Sequence, residues 1–178
     1  MEIVNASKHQ WDDIKDIYME AFPKSERKPF FTVRHSVKTG KAKLLAAVED
    51  GALLGFIMII PYGGTVMVDY LAVSNKIRSR GTGSRLLQEV CKRFSRKTIV
   101  LLIEKPDASA ENNAQQIARR RFYLKNGFTS SNIFITGHSG NMEILNYGRM
   151  VSVPEYMDLQ RYALGNIMFR LSKIKLAV

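Results

Sequence analysis

Three apolar runs separated by short turn signals occupy the middle of the chain and limit the folds open to it. Leu44 to Glu49 and Ala52 to Ile60 flank Asp50-Gly51, a residue pair typical of two-residue hairpins. The turn signal Tyr62-Gly63-Gly64 then leads into a third run, Thr65 to Val73. Because turns this short join antiparallel strands, the sequence predicts an antiparallel sheet at the centre of the fold.

Further helical and strand patterns lie before and after these three runs in the sequence. Apolar residues at three- and four-residue intervals predict helices at 11–22, 30–37, 83–94, 114–125 and 154–164. Short apolar or alternating segments predict strands at 2–5, 98–103, 128–136 and 142–146. Together these elements predict an α/β (α+β) fold, in which a mixed, mostly antiparallel twisted sheet is flanked by helices.

No segment rich in Gly, Pro or Ser divides the chain, so residues 1–150 are predicted to form one domain. Residues 151–178 follow as a C-terminal helical extension. Its last part, from Asn166 onwards, alternates apolar and basic residues and is too apolar for a free tail. We expect this extension to pack on the domain or to lie in a homodimer interface.

Composition narrows the class of protein. Of 178 residues, 46% are apolar and 24% charged, which excludes intrinsic disorder for most of the chain. The formal net charge of +11 favours an anionic partner: a nucleic acid, an acidic surface or a phosphate-rich small molecule. No signal-peptide pattern and no apolar run of bilayer-spanning length is present, so we expect a cytoplasmic protein without a membrane segment.

The single cysteine and the three histidines limit the chemistry further. Cys91 alone excludes an internal disulfide framework and a cysteine-based zinc cluster. It lies on the apolar stripe of its predicted helix and is interpreted as a small core residue. The histidines lack the spacing of metal ligands, so no metal site is predicted.

A basic loop with two glycines joins the third apolar run to the next predicted helix. Glycines allow backbone amides to approach a ligand closely, and the first amides of a helix have no partner within it. The helix dipole also favours an anion at that end. The segment therefore predicts a phosphate-binding loop made of Arg78, Ser79, Arg80, Gly81, Thr82, Gly83 and Ser84.

Two common phosphate-binding motifs fit this loop poorly. A Walker A loop needs Lys-Ser/Thr after its last glycine, and a dinucleotide fingerprint needs a third glycine where Leu86 stands. The pattern that remains is Arg78-x-x-Gly81-x-Gly83 after the strand residues Tyr70 to Val73. It resembles the acetyl-coenzyme A motif of the GNAT N-acetyltransferase family, Gln/Arg-x-x-Gly-x-Gly/Ala.

A second motif lies downstream. Tyr123 to Phe128 is similar to the Tyr-x-x-x-Gly-Phe signature of the family, at the junction of a helix and a strand. The order of elements also matches from the N-terminus to about Asn146. One departure concerns Gln116, which stands where the family often has an asparagine that contacts the cofactor.

The resemblance implies acetyl-CoA as co-substrate and direct attack of an amine on its thioester. Backbone groups of the strand Leu71-Ala72-Val73 would pair with the pantetheine arm like an added strand, and a backbone N–H of this strand would stabilise the developing oxyanion. Amides from Ser79 to Ser84 would hold the pyrophosphate, with Arg78 and Arg80 supplying charge-assisted contacts.

Three side chains are candidates for proton transfer. Tyr123 matches the tyrosine that acts as general acid in the family, and a phenol with a pKa of about 10 is protonated at neutral pH. Asp69 shares a strand face with Leu71, and Glu26 lies in a proline-bracketed loop where family members shape the acceptor site. Either carboxylate is a candidate to take a proton or bind a cationic amine. The alternatives are a turn cap or an ion pair with an arginine for Asp69, and a solvated charge for Glu26.

Three functions are compatible with these patterns. The first is acetylation of a primary amine on a small molecule, peptide or protein. The second is acetylation of a tRNA-borne amine, as in toxin members of the family, which the positive charge supports and the absence of interleaved aromatic and basic residues does not. The third is a non-catalytic module that binds acyl-CoA.

Overall fold

The computed structural model describes residues 1–24, 26–77, 81–137 and 140–177. The strands are β1 (Glu2–Asn5), β2 (Lys43–Glu49), β3 (Ala52–Tyr62), β4 (Thr65–Val73), β5 (Thr98–Glu104), β6 (Thr129–Gly137), β7 (Gly140–Tyr147) and β8 (Lys175–Leu176). The α-helices are α1 (Trp11–Ala21), α2 (Phe30–Lys38), α3 (Thr82–Arg93), α4 (Asn113–Lys125), α5 (Val153–Leu164) and α6 (Asn166–Leu171). Most predicted elements are present within one or two residues, and two 3-10 turns at 8–10 and 75–77 were not predicted.

The chain forms two compact units. The first contains Met1–Pro61 and Val68–Arg93, and the second contains Tyr62–Met67 and Phe94–Val178. In the first unit the strand order is β1-β2-β3-β4, and in the second it is β5-β7-β6-β8. The pairs β1/β2, β2/β3, β5/β7, β6/β7 and β6/β8 are antiparallel, which confirms the predicted mostly antiparallel α/β class. The predicted boundary at residue 150 stays a prediction.

In the first unit the hairpin between β2 and β3 forms where the sequence predicts it. Asp50 and Gly51 both have positive φ angles, 49° and 77°, as a type I′ turn requires. The buried side chains of α1 are Ile14, Ile17 and Tyr18, so the predicted apolar stripe is the face that packs on the core.

The second unit has an almost fully buried strand and a capped C-terminal helix. β5 is buried along most of its length, as its continuous apolar run predicts. Ser152 and Glu155 form a capping box at the start of α5, which buries Tyr156 and Leu159. The tail that the sequence left unassigned forms α6 and then β8, which pairs with β6.

Cys91 is a buried free thiol, as predicted. Burial raises the pKa of this thiol to about 11, which keeps it protonated and unreactive at neutral pH. Among the described residues no cluster of His, Cys, Asp and Glu is able to hold a metal ion. The helices described here include none with the length and apolarity needed to cross a membrane.

The close approach of β3 to β4 depends on Gly55. A Cβ atom at this position would lie 2.6 Å from the carbonyl oxygen of Ala72 and 3.0 Å from the Cα of Val73. Both neighbours are backbone atoms, so neither is able to move without shifting β4. Gly55 also lies at the β-bulge where the β2/β3 register shifts between Ala47 and Val48.

We therefore expect Gly55→Ala to lower the free energy of unfolding by about 1–3 kcal/mol, the usual range for overpacking. The matched control is Gly64→Ala, whose Cβ would make only an ordinary 3.6 Å contact with the Arg149 side chain and should change stability by less than about 1 kcal/mol. Urea unfolding followed by circular dichroism measures both. Equal stability of the two variants would contradict the steric role of Gly55.

Candidate active site

Strand β4 presents alternating faces at the candidate site. Tyr70 and Ala72 are buried, whereas Asp69, Leu71 and Val73 are half-buried. The predicted shared face of Asp69 and Leu71 is therefore the more open one. After the strand, the amide of Ser74 still donates to the carbonyl oxygen of Leu54 at 2.9 Å, which keeps the end of β4 fixed on β3.

Helix α3 begins directly after a glycine with left-handed backbone. Gly81 has φ +78°, and a Cβ there would meet no atom within 4 Å, so the glycine serves the backbone conformation and leaves open space. Its carbonyl oxygen accepts the amide of Arg85 at 3.0 Å. Gly83 and Ser84 are half-buried in the first helical turn. The predicted contacts of Arg78, Ser79 and Arg80 lie outside the described residues.

Thr82 is the most unusual polar side chain of this turn. The residue is only 2% exposed, yet its Oγ1 atom has no hydrogen-bond partner among the described residues. Buried hydroxyls are normally paired. An unpaired hydroxyl beside the free amides of a helix start is a donor available to an anionic ligand.

Asp69 is held in an ion pair, but with a lysine rather than with the arginine that the sequence suggested. The Nζ atom of Lys28 donates to both carboxylate oxygens, at 2.9 and 2.7 Å, and the Asp69 side chain is 11% exposed. Lys41 interacts electrostatically with this ion pair. Burial lowers the pKa of Lys41, the positive charge of Lys28 lowers it further, and the negative charge of Asp69 opposes both effects. The ion-pair alternative for Asp69 is thus realised, with a lysine as the partner.

Two buried tyrosines tie the loop before α2 to the body of the first unit. The Tyr18 hydroxyl donates to the carbonyl oxygen of Lys28 at 3.0 Å. The Tyr70 hydroxyl donates to the carbonyl oxygen of Glu26 at 3.3 Å and accepts the Lys28 amide at 3.2 Å. Burial raises the pKa of both phenols, so both stay protonated. Glu26 itself is exposed in this loop, and its amide donates to the carbonyl oxygen of Pro23.

Tyr123 belongs to the second unit and lies in the last turn of α4. Its half-buried ring contacts Phe122 and Phe128, with centroids 5.1 and 5.9 Å away. Burial raises the pKa of Tyr123 to about 12, against the opposing effect of the Arg119 charge. Its raised pKa keeps the phenol protonated at neutral pH, and the described residues offer its hydroxyl no hydrogen-bond partner.

Gln116, the position that departs from the family pattern, is used inside the protein. Its Oε1 atom accepts the amide of Asp107 at 2.9 Å, and its Nε2 atom donates to Oδ1 of Asn112 at 3.0 Å. The side chain is 7% exposed. Both polar atoms of the Gln116 side chain therefore form hydrogen bonds that hold the start of α4 in place.

The comparison with protein families decides the identity. The family model described as an acetyltransferase (GNAT) domain matches residues 40–130, which is half of the chain and includes both sequence motifs. The chain belongs to the GNAT acetyltransferase family. The resemblance seen in the sequence is thereby confirmed.

Solved GNAT structures share this fold at low sequence identity. An acetyltransferase assigned to the GNAT family from Bacteroides thetaiotaomicron is 19% identical, with 95% of this chain and 98% of that chain covered and a TM-score of 0.73. An aminoglycoside 6′-N-acetyltransferase complexed with coenzyme A is 18% identical (86% and 99% covered, TM-score 0.68). A ribosomal-protein-alanine N-acetyltransferase from Brucella melitensis is 16% identical (85% and 100% covered, TM-score 0.61). No curated protein sequence matches the chain.

The first unit of this GNAT protein carries several of the predicted site residues. It contains Asp69, the strand Leu71-Ala72-Val73 and the helix start from Gly81 to Ser84. Sequence reasoning missed Lys28, whose partner lies 41 positions away. The aromatic spacing of α1 indicated that Tyr18 is buried, but no local signal predicted that its hydroxyl would anchor the loop.

Proposed function

We propose that this protein is an N-acetyltransferase that moves an acetyl group from acetyl-CoA to a primary amine. The observation that carries the proposal is the match of the acetyltransferase domain model across 40–130, a span that holds both the glycine loop and the Tyr123 motif. Neighbouring structures include enzymes named for an aminoglycoside and for a ribosomal-protein alanine as acceptors. Those names support an amine acceptor and leave its size open.

The start of α3 supports the binding of the coenzyme A pyrophosphate. Gly81 allows close approach of the backbone, the first amides of a helix have no partner within it, and the first turn of α3 carries no acidic residue. The buried Thr82 hydroxyl adds one unpaired donor at the same place. We further propose that Arg78 and Arg80 contribute charge, that amides from Ser79 to Ser84 donate, and that Leu71, Ala72 and Val73 pair with the pantetheine arm.

Thr82→Val tests this assignment, because valine keeps the shape and removes only the hydroxyl. The free protein loses no hydrogen bond that the structure shows, so its stability should be unchanged or higher. The affinity for coenzyme A should fall about tenfold, the size expected for a lost hydrogen bond to a charged group. Titration calorimetry with CoA and acetyl-CoA at two salt concentrations measures it.

Thr98→Val is the matched control, since the Thr98 hydroxyl in β5 is also buried without a partner among the described residues. It should leave CoA binding unchanged. If Thr82→Val binds CoA as tightly as the parent protein, the hydroxyl is not part of the site. If the parent protein binds no CoA at all, the proposed function fails as a whole.

Tyr123 is proposed to act on the departing sulfur. Acetyl-CoA supplies an acyl group activated as a thioester; the amine nitrogen bonds to the acyl carbon as the carbon–sulfur bond breaks. A Tyr123 pKa of about 12 lies above the ordinary thiol value of about 8.5, so complete proton transfer from the phenol to a thiolate is uphill. The phenol is better suited to donate a hydrogen bond to the developing negative charge on sulfur. The proton that the amine loses then goes to a carboxylate or to water, and the released thiolate takes a proton from solvent.

Tyr123→Phe should therefore lower kcat by about 10- to 100-fold. This loss is at or just below the lower end of what a side chain that transfers a proton usually contributes. The affinity for CoA should remain near that of the parent protein. Release of free thiol from acetyl-CoA, measured with a panel of aminoglycosides, polyamines and short peptides, provides the assay. Tyr147→Phe is a suitable control, because it removes the hydroxyl of another tyrosine in the same unit, one that is half-exposed. Unchanged turnover in Tyr123→Phe would remove this residue from the chemistry.

Asp69 and Glu26 are the candidate groups on the acceptor side. Lys28 donates two hydrogen bonds to the Asp69 carboxylate, and a cationic amine would be attracted to the same group. Glu26 is exposed in the loop that the two tyrosines hold in place. We propose Asp69 as the group that binds the incoming ammonium or accepts its proton, because its position on β4 is the more rigid of the two.

Asp69→Asn should lower kcat/KM by about 10- to 100-fold, because an amide neither accepts a proton from the amine nor attracts an ammonium by its charge. Glu26→Gln should have a smaller effect. Lys28→Met distinguishes a role of the Asp69 carboxylate from a role of its ion pair, since it removes the lysine and keeps the carboxylate. The control is Asp16→Asn, an exposed carboxylate on α1. A larger loss for Glu26→Gln than for Asp69→Asn would reverse the assignment.

A further inference from the structure

Helix α4 is unusual because it does not bury an apolar face. Gln116 is its only buried residue. Two of its apolar side chains, Ile117 and Leu124, are 41% and 38% exposed. Most helices in proteins are stabilised by packing an apolar stripe on the core. The half-buried rings of Phe122 and Tyr123 contact each other and Phe128 near its C-terminal end, so the rest of α4 depends on other contacts.

Those contacts are polar and lie along one face of the helix. Asn112, Gln116 and Arg120 are spaced four residues apart, so they follow each other on one side of α4. Asn112 donates to Glu104 Oε2 at 3.3 Å, and Gln116 accepts the Asp107 amide at 2.9 Å. These two contacts hold the first turns of α4 to the end of β5 and to the loop that follows it.

The third contact is a bidentate ion pair with the central strand of the second unit. Nε and Nη2 of Arg120 donate to the two carboxylate oxygens of Glu143 at 2.8 and 3.1 Å. Glu143 is 2% exposed and lies in β7, opposite Ile103 of β5 and Phe134 of β6. Burial alone would raise the pKa of Glu143, but the hydrogen bonds from Arg120 hold that pKa below its usual range.

A planar guanidinium bound through two parallel hydrogen bonds fixes orientation as well as distance. It therefore sets the rotation of α4 about its own axis, which apolar packing alone sets only loosely. Tyr123 follows Arg120 by three residues, less than one helical turn, on the adjoining part of the same face. A rotation of the helix that broke the ion pair would carry the Tyr123 ring with it.

We infer that Arg120, bound to Glu143, is a positioning residue for Tyr123. The inference rests on the proposed function, because it assigns Arg120 a role only through the phenol. Arg120 does not contact substrate in this role. Its effect is to hold the Tyr123 hydroxyl in the one orientation where it donates to the leaving group.

The test compares four variants. Arg120→Gln removes the charge, Arg120→Lys keeps it without the bidentate geometry, and Arg120→Gln with Glu143→Gln removes both charges so that no carboxylate is left unpaired. Arg121→Gln is the control, since it removes the same charge from an exposed neighbour on α4. If Arg120→Gln alone fails to fold, the double variant takes its place.

The first measurement is independent of activity. In protein labelled with ¹³Cζ-tyrosine, the signal of Tyr123 is assigned by its loss in Tyr123→Phe. We expect this signal to shift or broaden in Arg120→Gln and in the double variant, to change less in Arg120→Lys, and to remain unchanged in Arg121→Gln. An unchanged Tyr123 signal in folded Arg120 variants would overturn the inference, whatever the enzyme's activity.

The second measurement separates positioning from a general loss of structure. Arg120→Gln should lower kcat about tenfold with CoA affinity and the KM for the amine little changed, and Arg120→Lys should recover part of the loss. In a Tyr123→Phe background, Arg120→Gln should have almost no further effect on kcat. Additive losses in that double variant would overturn the inference. If Tyr123→Phe alone leaves kcat unchanged, the proposed hydrogen bond from Tyr123 to the leaving sulfur fails, while the labelled-tyrosine result still decides whether Arg120 holds the ring.

Discussion

The packing of Tyr70 against Tyr18 and Phe22 is the interaction on which the proposed acceptor side of the site depends. The ring centroids lie 5.0 and 4.9 Å apart in edge-to-face geometry, an arrangement that favours aromatic pairs beyond simple area burial. Both tyrosines direct their hydroxyls to the backbone of the loop before α2, which brings Lys28 to Asp69. An apolar cluster thus fixes the position of an ion pair, and substitutions in the cluster should be felt at the carboxylate.

The sequence predicts the elements well where the signal is local. The Asp50-Gly51 hairpin and the apolar stripe of α1 each depend on residues close together in the sequence, and each is present. Contacts between residues that lie far apart in the sequence could not be predicted. Nothing near Asp69 indicates a lysine 41 residues earlier, and nothing near Arg120 indicates a buried glutamate 23 residues later. Pairing of this kind depends on tertiary structure, which periodicity does not encode.

The positive charge of the chain also has a more structural meaning than composition suggests. In the first unit Arg85 donates to the carbonyl oxygen of Met1, and Arg93 donates to Ile3, Asn5 and Glu89. These arginines tie α3 to the N-terminal strand. Part of the +11 charge therefore serves internal hydrogen bonds, and the share left for an anionic partner is smaller. A net charge alone is for this reason weak evidence for a nucleic-acid partner.

The polar contacts that hold α4 contribute little net stability, but they fix the orientation of the helix. Burial of a glutamate is unfavourable unless its partner is in place, and such pairs often add little net stability compared with apolar packing. Hydrogen bonds have a preferred direction, whereas the hydrophobic effect has none. A helix that only needed to cover the sheet would do so better with leucines. A helix that must hold one phenol in one orientation gains from an arginine and a glutamate whose geometry permits a single rotation.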